Sequence, residues 1–317
     1  MTPRALLAVV VATSAAFLTS GCSGSDDPPR ASSESQTTDA TPAGAADDDV
    51  VTEEDVDIGG RELYLRCWGE PVPDEPTILL LSGSDLHTSS WELMAPDFAS
   101  DGHHLCAYDR LGVGRSDAPL EARRTTNDQV DDLVSLLDAA DLQEPVVLAA
   151  HSLGSLPALG LVDRAPPRVA GVVLVDPWSP RVPAAQRAAL PPKKAGEIPE
   201  LTEVRQFVND VMYDPSRNRE HLLLAENDEH ALRLFDEPGP FFGDLPVVVL
   251  QAPRLPYLPG LPRRFHEATV ETIDEGAEEF AAESTRGTLI RVKDTGHNIQ
   301  EDRPEVVMDA ILDVLAG

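Results

Sequence analysis

The chain has 317 residues and a formal net charge of −30 at pH 7, with 25 Lys and Arg against 55 Asp and Glu. Phosphate binding needs clustered cations, so this charge excludes nucleic acid from the expected partners. An acidic surface favours solubility and repels anionic substrates at long range, but it identifies no ligand.

The N-terminus has the layout of an export signal. Arg4 precedes the apolar run ALLAVVVATSAAFL, which is too short for a membrane span, and TSGC follows. LTSGC resembles a bacterial lipobox, so residues 1–22 are predicted to be a lipoprotein signal with Cys22 as the lipidated residue. We expect the protein at the outer face of the cell membrane, held there only by this lipid. The alternative is a cleaved signal peptide and a secreted protein.

A linker rich in Ser, Thr, Asp, Pro and Ala follows at residues 23–49 and contains no aromatic residue. Such a segment cannot bury enough apolar surface to offset its ordering entropy, so it is predicted to be a disordered acidic tether. The folded domain is then residues 50–317.

The first part of this domain alternates strands and helices. Residues 50–70 form two alternating strands around Gly59-Gly60, which is a hairpin signal. Further strands are predicted at 76–83 and 103–112, and helices at 89–102 and 126–142.

Cys67 and Cys106 lie in two of these strand-like stretches. Two cysteines left over in an exported domain can pair, so a disulfide bond is predicted between them. The alternative is two buried free thiols.

The second part continues the alternation, and its predicted elements are strands at 146–151, 169–177, 245–252 and 287–296 and helices from near Leu153, at 262–282 and at 303–317. Buried strands alternating with amphipathic helices predict a mostly parallel, eight-stranded α/β sheet with helices on both faces. Residues 178–244 interrupt the pattern with Pro-, Arg- and Glu-rich helical pieces. An insertion of this length is typical of a helical cap.

Three chemically useful side chains follow buried strands. Ser152, Asp176 and His297 come at or just after the carboxyl ends of three strands, the edge where parallel sheets bind ligands. A histidine can take the proton of a serine hydroxyl, and a carboxylate on its other nitrogen fixes the tautomer. We therefore expect a catalytic triad in the order Ser, Asp, His.

Three motifs accompany these residues: AHSLG at 150–154, YDRLGVGRSD at 108–117 and TGHNIQEDRPEVV at the C-terminal histidine. They resemble the nucleophile elbow G-x-S-x-G, the D-x-x-G-x-G-x-S stretch and the C-terminal histidine segment of the α/β-hydrolase family. The resemblance covers about residues 55–317. It implies that the backbone N–H of Leu153 stabilises an oxyanion, with a second donor after the strand at 76–83. The family commonly has His-Gly there, whereas this chain has Ser82-Gly83-Ser84, and we assign the Ser84 N–H.

The carboxylate expected to orient His297 departs from the commoner pattern of the family. Many relatives carry it after the strand at 245–252, but no Asp or Glu occurs here between Leu245 and Glu267. Some relatives place the acid one strand earlier, where this chain has Asp176. The alternatives are Asp294 or no acid, with Asp176 only capping a turn before Pro177.

The remaining candidates have structural interpretations. Asp109 and Arg110 are expected to fix loops, His151 to pack beside the corner, and Trp91 to lie in the core. The sequence has no H-E-x-x-H, paired C-x-x-C or Asp-rich loop, so no metal and no cofactor are expected.

Together these features predict a monomeric serine hydrolase that cleaves a small-molecule ester or amide through an acyl-enzyme on Ser152. One alternative is a cofactor-free haloperoxidase-like enzyme with the same triad. The other is a non-catalytic surface binding protein that retains the fold.

Overall fold

The computed structural model describes residues 51–142, 145–253, 257 and 259–317. The predicted signal, the linker and Cys22 lie outside the described residues. Among the helices inside this range, none combines the length and apolarity that a membrane crossing requires.

One sheet of eight strands forms the centre of the described domain. Its order is β1-β2-β4-β3-β5-β6-β7-β8; β1 pairs antiparallel with β2 and β2 with β4, and the remaining pairs are parallel. The strands are β1 Val51–Asp57, β2 Glu62–Trp68, β3 Ile78–Leu81, β4 Leu105–Tyr108, β5 Val146–His151, β6 Val169–Val175, β7 Gly243–Gln251 and β8 Ser284–Arg291. The predicted fold class is confirmed.

Both faces of the central strands are buried. Every residue of β3, β4 and β5 is buried, as the continuous apolar runs of these segments predict. Side chains alternate between the faces, so Leu79 and Leu148 join one core cluster while Leu80 and Val147 join the other.

Helices cover the two faces. They are α1 Ala95–Ser100, α2 Thr126–Ala139, α3 Ser155–Arg164, α4 Val182–Ala189, α5 Pro199–Asn209, α6 Leu224–Phe235, α7 Arg263–Ala282, α8 Ile299–Asp302 and α9 Pro304–Leu315. Side chains of α2 and α3 belong to one core cluster and those of α1 and α9 to the other.

Some boundaries differ from the prediction. The expected helix at 89–102 is a 3-10 turn, Thr88–Trp91, followed by α1. Pro96 lacks an N–H donor, and the structure places it in the first turn of α1, where no donor is needed. The expected final helix at 303–317 is α9, which begins at Pro304 and ends at Leu315; the short helix α8 before it was not predicted. β8 begins three residues early, because it pairs with β7 from Ser284, and it ends at Arg291.

The predicted insertion contains α4, α5 and α6. It contacts the sheet domain through a β-bridge between Leu222 and Arg124 and through Asn227, whose Oδ1 accepts a 2.8 Å hydrogen bond from the Thr126 N–H. β7 begins at Gly243, so the last two residues of the 178–244 segment belong to the sheet. Its role as a cap stays a prediction.

Cys67 in β2 and Cys106 in β4 face each other in the antiparallel register and are joined by a disulfide bond. The sequence prediction of a disulfide is therefore confirmed.

Candidate active site

Ser152 occupies a sharp corner between β5 and α3. Its φ is 48°, in the left-handed region that non-glycine residues rarely adopt. A 3-10 turn, Ser152–Gly154, leads from the corner into α3. A Cβ on Gly154 would lie 2.5 Å from the Leu81 carbonyl oxygen and 2.7 Å from that of Ser82. The corner therefore packs against the end of β3, and no larger residue fits at position 154 without displacing that backbone.

Asp176 is the first residue after β6 and also has a positive φ, 42°. Its N–H donates to the Leu250 carbonyl at 2.7 Å, and its Oδ1 accepts from the Ala252 N–H at 2.9 Å. These two bonds to the end of β7 fix the carboxylate. Its other oxygen, Oδ2, lies 2.6 Å from Nδ1 of His297.

The structure thus places Asp176, rather than Asp294, against the His297 ring. Asp294 is exposed, has a φ of 56° and lies in the loop after β8. No Asp or Glu occurs between Leu245 and Glu267, and the carboxylate that contacts the His297 ring comes from the end of the neighbouring strand β6.

His151 links the loop of His297 to the serine corner. The ring is buried, and its Nε2 donates to the backbone carbonyl of His297 at 3.1 Å. Burial, followed by the nearby His297, holds the pKa of His151 well below its ordinary value, so the ring stays neutral near pH 7. The sequence predicts only packing beside the corner; the structure adds a hydrogen bond that ties the residue before Ser152 to His297.

The loop after β3 passes directly over the serine corner. A Cβ on Gly83 would lie 2.8 Å from His151 Nδ1 and 3.2 Å from Ser152 Cβ, so only glycine allows this approach. The Ser82 hydroxyl turns into the core, where it accepts a 3.0 Å hydrogen bond from Trp91 Nε1. Ser82 therefore anchors the loop to the core. Trp91 is a core residue, as expected.

Asp109 and Arg110 fix this region, as the sequence predicts. The Asp109 carboxylate accepts 2.8 Å hydrogen bonds from the backbone N–H groups of Thr88 and Arg115. Arg110 donates to the carbonyl oxygens of Ser82 at 2.5 Å and Gly83 at 2.8 Å. It also forms a buried ion pair with Glu220.

A small recess begins at the two assigned oxyanion residues. It is lined by Ser84, Asp85, Leu153, Trp178, Phe207, Val211, Asn218, Arg219, Glu220, Leu222 and Leu224. Most of these residues come from the 178–244 segment, so the insertion forms much of the wall beside the serine corner.

Two residues of this wall, Glu220 and Trp178, were not singled out from the sequence. No motif marks Glu220. Trp178 directly follows Asp176-Pro177, and its backbone N–H donates to the Ser152 carbonyl at 3.0 Å. Its place two residues after Asp176 is the one feature of the sequence that could have marked it as part of the site.

Within the described residues, one cluster consists of side chains that could bind a metal ion: Cys67, His104 and Cys106, whose ligand atoms lie within 4.8 Å of one another. Both sulfur atoms belong to the disulfide bond and offer no thiolate. The expectation of no metal and no cofactor stays a prediction.

Comparison with known proteins gives relatives along most of the chain. The uncharacterised protein YqjL of Bacillus subtilis (strain 168) is 26% identical over 253 residues, covering 75% of this chain and 83% of that protein. A putative carbamate hydrolase, RutD of Variovorax paradoxus (strain S110), is 38% identical over 106 residues, which cover 33% of this chain and 40% of that protein. The chain therefore matches less than half the length of that hydrolase.

The fold is similar to that of the solved 2-hydroxy-6-oxo-6-phenylhexa-2,4-dienoate hydrolase from Rhodococcus sp. strain RHA1. The TM-score is 0.57 at 17% identity, covering 85% of this chain and 100% of that chain. Residues 78–310 match the alpha/beta hydrolase family. This match covers most of the chain and includes β3 to β8, and we conclude that the protein belongs to the alpha/beta hydrolase family and is a hydrolase.

Proposed function

We propose that the protein hydrolyses small esters or amides through an acyl-enzyme on Ser152. The observation that carries this proposal is the 2.6 Å contact between Asp176 Oδ2 and His297 Nδ1 at the sheet edge where the strained corner presents Ser152. A serine, a histidine and a partly buried carboxylate at one sheet edge are the residue types that nucleophilic acyl transfer requires.

In the proposed reaction, Ser152 Oγ attacks the substrate carbonyl carbon while His297 Nε2 takes the hydroxyl proton. Asp176 accepts the Nδ1–H of His297 and stabilises the imidazolium that forms. The tetrahedral oxyanion is bound by the backbone N–H groups of Ser84 and Leu153. When the intermediate collapses, His297 gives the proton to the leaving alcohol or amine, and a water molecule activated by His297 then releases the acid.

The recess supports an uncharged acyl group as the preferred substrate part. It starts at Ser84 and Leu153, where the carbonyl carbon would lie, and its wall is largely apolar, with Trp178, Phe207 and Leu224 among its members. The charged members of the wall are Asp85, Arg219 and Glu220, and Glu220 is already paired with Arg110, so the recess offers no net charge to bind an ionised acyl chain. The similarity to a putative carbamate hydrolase supports attack on a carbonyl flanked by a heteroatom.

The test is active-site labelling of the folded domain with a fluorophosphonate, together with turnover of p-nitrophenyl acetate in the absence of peroxide. Ser152→Ala should abolish labelling and lower turnover by about 10⁴-fold or more, because the nucleophile is lost. Ser155→Ala is the matched control: Ser155 is buried in the same corner, and its loss should leave labelling intact.

Labelling of Ser152→Ala equal to that of the unchanged protein would overturn the assignment. A wild-type protein that neither reacts nor turns over would instead support the binding-protein alternative. Turnover only in the presence of peroxide would favour the haloperoxidase-like alternative.

A further inference from the structure

A buried ion pair connects the insertion to the loop over the serine corner. The side chains of Arg110 and Glu220 are each 4% exposed and lie 110 residues apart in sequence. Arg110 Nε donates to Glu220 Oε2 at 2.7 Å and Nη2 to Oε1 at 2.9 Å, so the pair is bidentate. Gln129 Nε2 donates to the same Oε2 at 2.8 Å. Glu220 is thus held from two sides.

The other side of the guanidinium holds the peptide that carries the assigned oxyanion donor. Arg110 Nη2 donates to the Gly83 carbonyl at 2.8 Å, and this carbonyl belongs to the same peptide group as the Ser84 N–H. A trans peptide is planar, with its C=O and N–H pointing in opposite directions. Fixing the Gly83 oxygen on one side therefore fixes the direction of the Ser84 N–H on the other.

The same contact strengthens the donor. A charged donor on a peptide carbonyl polarises that peptide, and its N–H then becomes a better hydrogen-bond donor. The second bond, from Nη1 to the Ser82 carbonyl at 2.5 Å, holds the preceding peptide, so the loop cannot rotate about a single anchor.

We propose that Arg110 and Glu220 are positioning residues that orient and polarise the Ser84 N–H, and that the oxyanion site is complete only when the 178–244 segment is seated with Glu220 on Arg110. This inference rests on the proposed function of Ser152. Arg110 needs an anionic partner because a buried guanidinium without one is strongly unfavourable, and Glu220 supplies it. Neither residue touches the reacting atoms in this proposal.

The test compares Arg110→Lys and Glu220→Gln with the unchanged protein. Lysine keeps a buried cation beside Glu220 but cannot hold two carbonyls and a carboxylate at once, since it lacks the planar fork. The matched control is Asp132→Asn, which breaks a second buried pair, Arg124–Asp132, that has no bond to the Ser82 or Gly83 carbonyl among its described contacts.

Three quantities are measured: kcat and KM for p-nitrophenyl acetate, the inhibition constant of a phenylboronic acid, which forms a tetrahedral adduct with the serine, and the thermal midpoint. Active sites are titrated with the fluorophosphonate, so unfolded protein does not enter kcat. We expect kcat and boronic-acid affinity to fall together by about 10- to 100-fold in both variants, with KM changing far less. Asp132→Asn should lower the midpoint while leaving kcat and the inhibition constant unchanged.

Unchanged kcat and boronic-acid affinity in folded Arg110→Lys would overturn the proposal, as would an equal loss of kcat in Asp132→Asn. If Glu220→Gln does not fold, Arg110→Lys alone decides. Failure of the wild type to label at Ser152 would overturn the proposed function itself, which is a distinguishable result.

Discussion

Ser152 and Asp176 stand in left-handed backbone conformations, with φ of 48° and 42°, at the ends of the neighbouring strands β5 and β6. Each such position costs about 1–3 kcal/mol and persists because the surroundings hold it. The Trp178 N–H bonded to the Ser152 carbonyl and the Asp176 N–H bonded to the Leu250 carbonyl provide that hold. The two corners are therefore coupled, since Trp178 lies only two residues after Asp176.

At this scale the role of the acid can be tested with one substitution. Asp176→Asn should lower kcat by about 10⁴-fold, because an amide cannot stabilise the imidazolium or hold the right tautomer of His297. Folding should be preserved, since the asparagine oxygen can still accept from the Ala252 N–H. Steady-state turnover of p-nitrophenyl acetate measures the effect.

Asp294→Asn is the control for that experiment. Asp294 is exposed and lies three residues before His297, so its substitution should leave turnover nearly unchanged. The reverse pattern, with loss in Asp294→Asn and retention in Asp176→Asn, would assign the acid to Asp294.

At the scale of elements, one hydrogen bond connects a helix of the insertion to the residue that bonds the Ser152 carbonyl. Asp228, in α6, accepts a 2.7 Å hydrogen bond from Trp178 Nε1. Because Trp178 also bonds Ser152 and lines the recess, α6 reaches the serine corner through one side chain.

The stability contributed by Asp228 should depend on pH. Burial raises the pKa of this carboxyl well above 3.8, although the Trp178 hydrogen bond and the Arg187 charge oppose the rise. A raised folded-state pKa favours the neutral acid, so the contribution is full below the unfolded-state pKa of about 3.9 and is lost as pH rises through the folded-state value.

Asp228→Asn is neutral at every pH. Its free energy of unfolding, measured in urea between about pH 4 and pH 8, should therefore rise relative to that of the wild type as pH increases. Trp178→Phe removes a hydrogen bond that lowers this pKa and should steepen the pH dependence of the protein that retains Asp228. Parallel pH profiles for wild type and Asp228→Asn would contradict the prediction.

For the whole molecule, the sheet is joined covalently on its antiparallel side. The disulfide connects β2 to β4, two strands away from β5, and spans 39 residues of sequence. A cross-link of that span removes conformational entropy from the unfolded chain.

Cys67→Ala/Cys106→Ala should lower the free energy of unfolding by about 4 kcal/mol on the chain-entropy estimate. Urea denaturation measures the change, and wild type treated with a reductant should unfold at a similar midpoint. Turnover of the folded double variant should stay near that of the wild type. A double variant as stable as the oxidised protein would show that the cross-link does not stabilise the fold.

Local patterns in the sequence were sufficient for the elements of the sheet, and they also selected the three residues of the proposed chemistry. Continuous apolar runs predict buried strands because both faces of a parallel strand are covered, and β3, β5 and β6 follow that rule. Ser152, Asp176 and His297 could be selected because each comes at or after a strand end, and parallel strand ends meet at one edge. Helix ends were less predictable: the divided helix at 89–102 depended on one proline.

Only the tertiary structure decided which groups touch. The choice between Asp176 and Asp294 rests on the direction of a side chain across two strands, and both candidates lie next to plausible turns in the sequence. Glu220 has no local signature, because its role arises from a contact with Arg110 across 110 residues. Hydrophobic periodicity depends on residues that are close in sequence, so it predicts helices and strands without knowledge of the fold. Contacts between distant polar side chains are formed by the packed fold, and neighbouring residues do not encode them.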